Sequence, residues 1–152
     1  MNRTGKTFEG LLGGHFEGEL ADDPVAANMA GLRDGEGRLG HATLRHEERQ
    51  QRRRLRTLSA LESINPRELD REQQLDRLAL RSHLLHGVED FERGRHTMDP
   101  DAIDAVLEVL FHELQRGDDE PARAAANLRS LLRKAPRFLA EAASLIVHPE
   151  PV

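Results

Sequence analysis

Apolar residues recur at spacings of three and four along nearly the whole chain, and no convincing run of alternating β-branched residues interrupts that pattern. Spacings near 3.6 gather side chains on one face of a helix, whereas a half-buried strand needs a period of two. The pattern predicts an all-α protein, an irregular array of five to seven helices with no sheet.

The first helix is expected over about 7–20, with Phe8, Leu11, Leu12, Phe16 and Leu20 on one stripe. Gly10, Gly13, Gly14 and Gly18 fall within it, each costing about 1 kcal/mol relative to alanine, so this helix needs tertiary support. Asp23-Pro24 supplies an N-cap and a first-turn proline for a short helix to about Ala30. After a glycine-rich loop, Thr43 or His41 opens a longer helix through Ile64, with Leu44, Leu55 and Leu58 as its apolar line, and Asn65-Pro66 ends it.

The helix expected from about Asp70 to Arg93 carries two apolar faces, Leu75, Leu78 and Leu85 on one and Leu80, Leu84, Val88 and Phe91 on the other. Such a helix is expected to be central and packed on both sides. Asp99-Pro100 begins the next one, with Ile103, Val106, Leu107, Leu110 and Leu114 as its buried stripe and Gly117 as its stop. Pro121 and Pro136 each open a further helix, because proline cannot continue the preceding turn. The tail, 147–152, is expected to be extended.

Composition narrows the picture. A chain of 152 residues suits a single helical domain over 1–152, and by size scaling it buries roughly 70% of its unfolded surface. With 38% hydrophobic residues, five Phe and no Trp or Tyr, aliphatic side chains must do most of the packing. A net charge of -5 argues against a general nucleic-acid binder, which is usually basic. No cysteine is present, so disulfides and thiolate metal sites are excluded and a reducing compartment is the simplest setting. The start MNRTGKTFEG lacks an apolar run of signal-peptide length, and no stretch approaches the ~20 apolar residues of a membrane span. A cytoplasmic protein without membrane partners is the expectation.

Two signatures are spelled in residues 35–50. Gly35-Glu36-Gly37-Arg38-Leu39-Gly40 matches G-x-G-x-x-G, but that motif cradles a pyrophosphate only where a strand precedes it and a helix begins within it. Here a helix is expected before it, so an ordinary interhelical loop is the preferred reading. Gly5-Lys6-Thr7 ends like a phosphate loop without room for the upstream glycine and strand. His46-Glu47 begins a zinc-peptidase helix, yet Gln50 stands where the second histidine should, and His112-Glu113 fails in the same way at Arg116. Both are read as solvated helix surface.

Further candidates arise from helical spacing. His83, His86 and Asp90 fall within an arc of roughly 60°, compatible with a shared metal ion or with local hydrogen bonds and a salt bridge to Arg93. His15, within an apolar stripe, is read as a half-buried packing residue. Arg45, Arg49, Arg52, Arg53 and Arg56 project within roughly 100° of arc, a ridge able to hold phosphate, RNA or an acidic neighbour. No aromatic residue interleaves with it, and a solvated face balanced by Glu47, Glu48 and Glu62 is the preferred reading. No residue is assigned a catalytic, cofactor-binding or metal-binding role.

Taken in order, FEGLLGGHFEGELADDPVAANMAGL, GRLGHAT, LDRLALRSHLLHGVEDFER and NLRSLLRKAPRFLAEAASLIVHPEPV resemble the N-terminal region of the bacterial domain of unknown function 885 family. The resemblance implies a largely helical front section of a gluzincin-like zinc metallopeptidase that shapes or covers a peptide-binding cleft. The family's zinc motif, of the type His-Glu-x-x-x-Gly-His-His, lies far downstream and has no counterpart in these residues. The chain is accordingly expected to be a truncated or split, non-catalytic section without a cofactor, with zinc implied only for full-length relatives. Its expected partner is the missing C-terminal catalytic segment. An independent helical interaction module, with homodimerisation through an apolar face of the central helix, is the alternative.

Overall fold

A computed structural model describes residues 2–98 and 102–147. These residues form six α-helices and three short 3-10 turns, with no strand among them. The protein is all-α. No helix among the described residues is long and apolar enough to cross a membrane. Backbone proximity divides the chain into two compact units, Met1–Gly18 with Glu47–Arg95 and Glu19–His46 with His96–Val152.

In the first unit, α1 (Arg3–Asp22) begins earlier than its apolar stripe implies, because the Asn2 side chain accepts from the Gly5 N–H at 2.7 Å and satisfies a first-turn donor. The helix then runs on past Gly18 as one element. Phe8 is fully buried with Leu61, Ile64, Leu69, Leu80 and Leu84, and Leu11, Leu12 and Leu58 pack against this core. Phe16, expected in the same stripe, is 51% exposed.

Helix α3 (Leu44–Glu62) leaves Leu44 and Leu55 exposed and buries Gln50, Gln51, Thr57 and Leu61. Leu44 and Leu55 lie roughly 100–120° around the helix from Leu61, outside the face that meets the core. Helix α4 (Arg71–Glu92) starts in a capping box, with Asp70 accepting from the Gln73 backbone at 2.9 Å and the Gln73 side chain accepting from the Asp70 N–H at 3.3 Å. It buries Leu80, Leu84 and Val88, while Leu75 and Leu78 are each 60% exposed and Leu85 is also exposed. The expectation of packing on two sides is therefore corrected: the first unit supplies a layer for one face of α4 only.

The second unit is built on α2 (Pro24–Met29), α5 (Ala102–Arg116) and α6 (Pro121–Leu145). Asp23 accepts from the backbone N–H groups of Val25 and Ala26, both at 3.0 Å, and Pro24 opens α2 without needing a partner. Val25, Leu39, Val106, Val109, Leu131 and Ala135 form the core. On α5 the buried residues are Val106, Val109 and Glu113; of the expected stripe, Val106 is in the core and Leu110 packs partly buried against it, whereas Ile103, Leu107 and Leu114 are 58–60% exposed. The two faces lie roughly 100° apart, and the smaller valine side permits close approach to the neighbouring helices. The Asp99-Pro100 helix start and the tail beyond Val147 lie outside the described residues.

Pro136 does not open a helix of its own. It sits inside α6, which continues through it to Leu145. Proline removes one backbone hydrogen bond, but Leu131 and Ala135 just before it and Ala142 beyond it are buried, and that packing outweighs the missing bond.

Candidate functional site

The glycine loop of the second unit follows α2 and leads through irregular chain to α3, so neither element required of a dinucleotide loop is in place. Its glycines serve packing. A Cβ on Gly35 would lie near the Pro24 carbonyl oxygen and the Asn28 nitrogen, inside van der Waals contact with both, and Gly37 and Gly40 take left-handed φ values of +66° and +75°. The Gly37 carbonyl then accepts from Ser130 Oγ at 3.0 Å and from Lys134 Nζ at 2.7 Å, tying the loop to α6.

Beside this loop is a polar cavity of about 210 Å³. Glu113, 1% exposed, lies against it, its Oε1 accepting from Asn28 Nδ2 and its Oε2 from Asn127 Nδ2, both at 3.0 Å. Arg116 donates to Asn28 Oδ1 at 2.5 Å and to the Asn28 carbonyl at 2.6 Å. Glu36 accepts from Arg123 Nε at 2.7 Å and from Asn127 Nδ2 at 3.2 Å. Each of these residues is bonded to at least one other member of the set. Chemically, the set fixes α2, the loop, α5 and α6 to one another. Reading Glu113 as solvated surface is thus corrected; its spacing of four from Val109 and seven from Val106 was the available signal.

The zinc-peptidase fragments remain incomplete in three dimensions. Gln50 is buried on α3, and Arg116 is engaged with Asn28. His46 is half-buried, with its ring centroid 6.4 Å from that of His41.

In the first unit, α4 separates the three residues grouped by spacing. His86 Nε2 lies 3.2 Å from Asp90 Oδ2 on the exposed surface, and Arg93 pairs with Glu89 at 2.6 Å. His83 turns instead to α1, where its ring meets His15 edge-on at a centroid distance of 5.7 Å. His15 is 3% exposed, fully buried where a half-buried residue was expected. His83 also borders an apolar cavity of about 330 Å³ lined by Leu12, Phe16, Asp76, Ala79 and Leu80. Sequence reasoning missed the meeting of His15 and His83 because the two lie on different helices, far apart along the chain.

Of the arginine ridge, Arg45, Arg49, Arg52 and Arg56 are exposed and Arg53 is half-buried, donating to Gln50. Arg52 lies 3.7 Å from Glu48, while Glu62 pairs with Arg81 of α4 at 3.6 Å instead of with the ridge. Two carboxyls elsewhere titrate below their ordinary range: Glu68 chiefly through the Thr4 hydroxyl, and Glu141 chiefly through the bond from Arg137.

Comparison with protein-family models, with curated proteins and with solved structures returns no match.

Proposed function

We propose that this chain is a non-catalytic helical section of a zinc-metallopeptidase-like protein, which shapes or covers a peptide-binding cleft once its catalytic part is in place. The observation that supports this reading is the outer face of α5. Ile103, Leu107, Phe111 and Leu114 follow spacings of four, four and three, and all four are 58–60% exposed. A continuous apolar helical row left open to water is a surface built to be covered. The ordered resemblance of four segments to the front of domain of unknown function 885 proteins names the covering partner as the catalytic segment.

The test is to add the full chain to the catalytic part of a full-length relative and follow peptide hydrolysis. The chain alone hydrolyses no peptide, and its addition changes KM for a long peptide more than for a dipeptide, as expected of a cleft wall. Unchanged kinetics on addition would count against the reading.

A second reading is a homodimer through α4, favoured by the open row Leu75, Leu78 and Leu85. It predicts a dimer in sedimentation that Leu78→Glu converts to monomer.

A further inference from the structure

We infer that the furrow between α1 and α4 binds a small hydrophobic amine, with its apolar body in the 330 Å³ cavity and its ammonium group against Asp76. All the lining residues belong to the first unit, Leu12 and Phe16 from its α1 segment and Asp76, Ala79, Leu80 and His83 from α4. Two contacts fix how these segments run beside each other. Gln73 Nε2 donates to Glu9 Oε1 at 2.9 Å at one end, and the rings of His15 and His83 meet at a centroid distance of 5.7 Å at the other. The cavity lies between them. Leu80, 3% exposed, is its floor, and Ala79 beside it carries only a methyl group, so α4 leaves space unfilled beneath Leu12 and Phe16.

The lining selects the chemistry of the occupant. Four of the six residues are apolar, and the volume falls at the small end of the range of about 300–1,000 Å³ typical of ligand pockets, so the body of the ligand is small and apolar. Phe16, 51% exposed, presents its ring to this space, and an aromatic face attracts a cation as well as an apolar group. Asp76 is the one carboxylate in the lining, and among the described residues it has no hydrogen bond or ion pair of its own, so its charge is open to a ligand. No Lys or Arg lines the cavity, which disfavours an anion. His83, its ring already against His15, serves as a wall. An ammonium ion carried on an aromatic or branched aliphatic body satisfies the floor, the ring and the carboxylate together.

The experiment is a titration of the full chain with phenethylamine, followed through backbone amide NMR shifts. Phenethyl alcohol and phenylpropionate, which carry the same ring on a neutral and an anionic head, are titrated in parallel. Phenethylamine should give saturable shifts centred on Leu12, Phe16, Asp76 and Ala79. The alcohol should bind at least about threefold more weakly and phenylpropionate more weakly still, and added salt should weaken the amine but not the alcohol. Asp76→Asn and Phe16→Ala, both at exposed positions, should keep the helical circular dichroism of the parent. Asp76→Asn should remove the preference for amine over alcohol, Phe16→Ala should weaken both ligands, and Glu48→Gln, on the exposed face of α3, should change neither. The proposal is overturned if phenethylamine gives no saturable shifts, if they centre elsewhere on the chain, if the alcohol binds as tightly as the amine, or if Asp76→Asn changes no more than Glu48→Gln. None of these outcomes involves α5 or the catalytic part, so this inference fails or stands apart from the proposed docking role.

Discussion

Asn28 Nδ2 donates to Glu113 Oε1 at 3.0 Å, a buried bond between α2 and α5 across 85 residues of sequence. Asn28 itself is fully buried and receives Arg116 at two of its oxygens. Glu113→Gln keeps the shape of the side chain but turns an NH2 group toward a neighbouring amide donor. It should cost about 1–3 kcal/mol in urea unfolding, whereas Glu48→Gln on the exposed face of α3 should stay within about 0.5 kcal/mol. Equal effects of the two changes would show that the Glu113 network is not holding the helices together.

Glycines of this chain divide into those the fold requires and those it merely contains. A Cβ on Gly35 collides with α2 backbone, so Gly35→Ala should destabilise by about 1–3 kcal/mol. Gly13 is exposed within α1 with nothing within 4 Å of a Cβ, and Gly13→Ala should stabilise by about 0.5–1 kcal/mol. Thermal midpoints moving in opposite directions would bear this out.

Pro136 is exposed and lies inside a continuous helix, so its cost is not repaid by a contact of its ring with the core. Pro136→Ala restores one backbone hydrogen bond and should raise stability by about 1–3 kcal/mol, with helical circular dichroism unchanged or greater. A loss of stability would mean that the ring holds α6 in a bend its packing needs.

The Thr4 hydroxyl donates to Glu68 Oε2 at 2.5 Å and Asn65 Nδ2 to Oε1 at 3.1 Å, both favouring the ionised carboxylate. A folded pKa below the unfolded one contributes stability above the unfolded value, and that contribution is lost as pH falls through the folded value. Carboxyl titration by NMR should find Glu68 below the ordinary glutamate range, and Thr4→Val should raise it. An unshifted Glu68 in the parent chain would remove this contact from the account of how α1 is anchored.

Much of the fold could be read from local chemistry. Asp23-Pro24, Asn65-Pro66, Asp70, Gly117 and Pro121 mark helix ends through groups that act on the nearest few residues, and those ends lie where such groups place them. Which apolar stripe is covered is a tertiary matter. On α5, Ile103, Leu107 and Leu114 have the stronger hydrophobic pattern, yet Val106 and Val109 enter the core with a charged neighbour, Glu113, because Asn28 and Asn127 receive it. Nothing local to Glu113 announces partners that far along the chain. The same holds for His15 and His83, whose meeting depends on how α1 crosses α4.

The central claim is that the open row of α5 is covered by a peptidase-like catalytic part, and sedimentation velocity tests it most directly. The full chain is mixed with the separately expressed catalytic part of a full-length relative, alongside a Leu107→Asp, Phe111→Asp double variant whose circular dichroism matches the parent. The parent chain should co-sediment with the catalytic part, and the variant should bind at least tenfold more weakly, since two half-exposed apolar side chains contribute a few kcal/mol when covered. A parent chain that sediments alone, or a variant that binds as tightly as the parent, would contradict it.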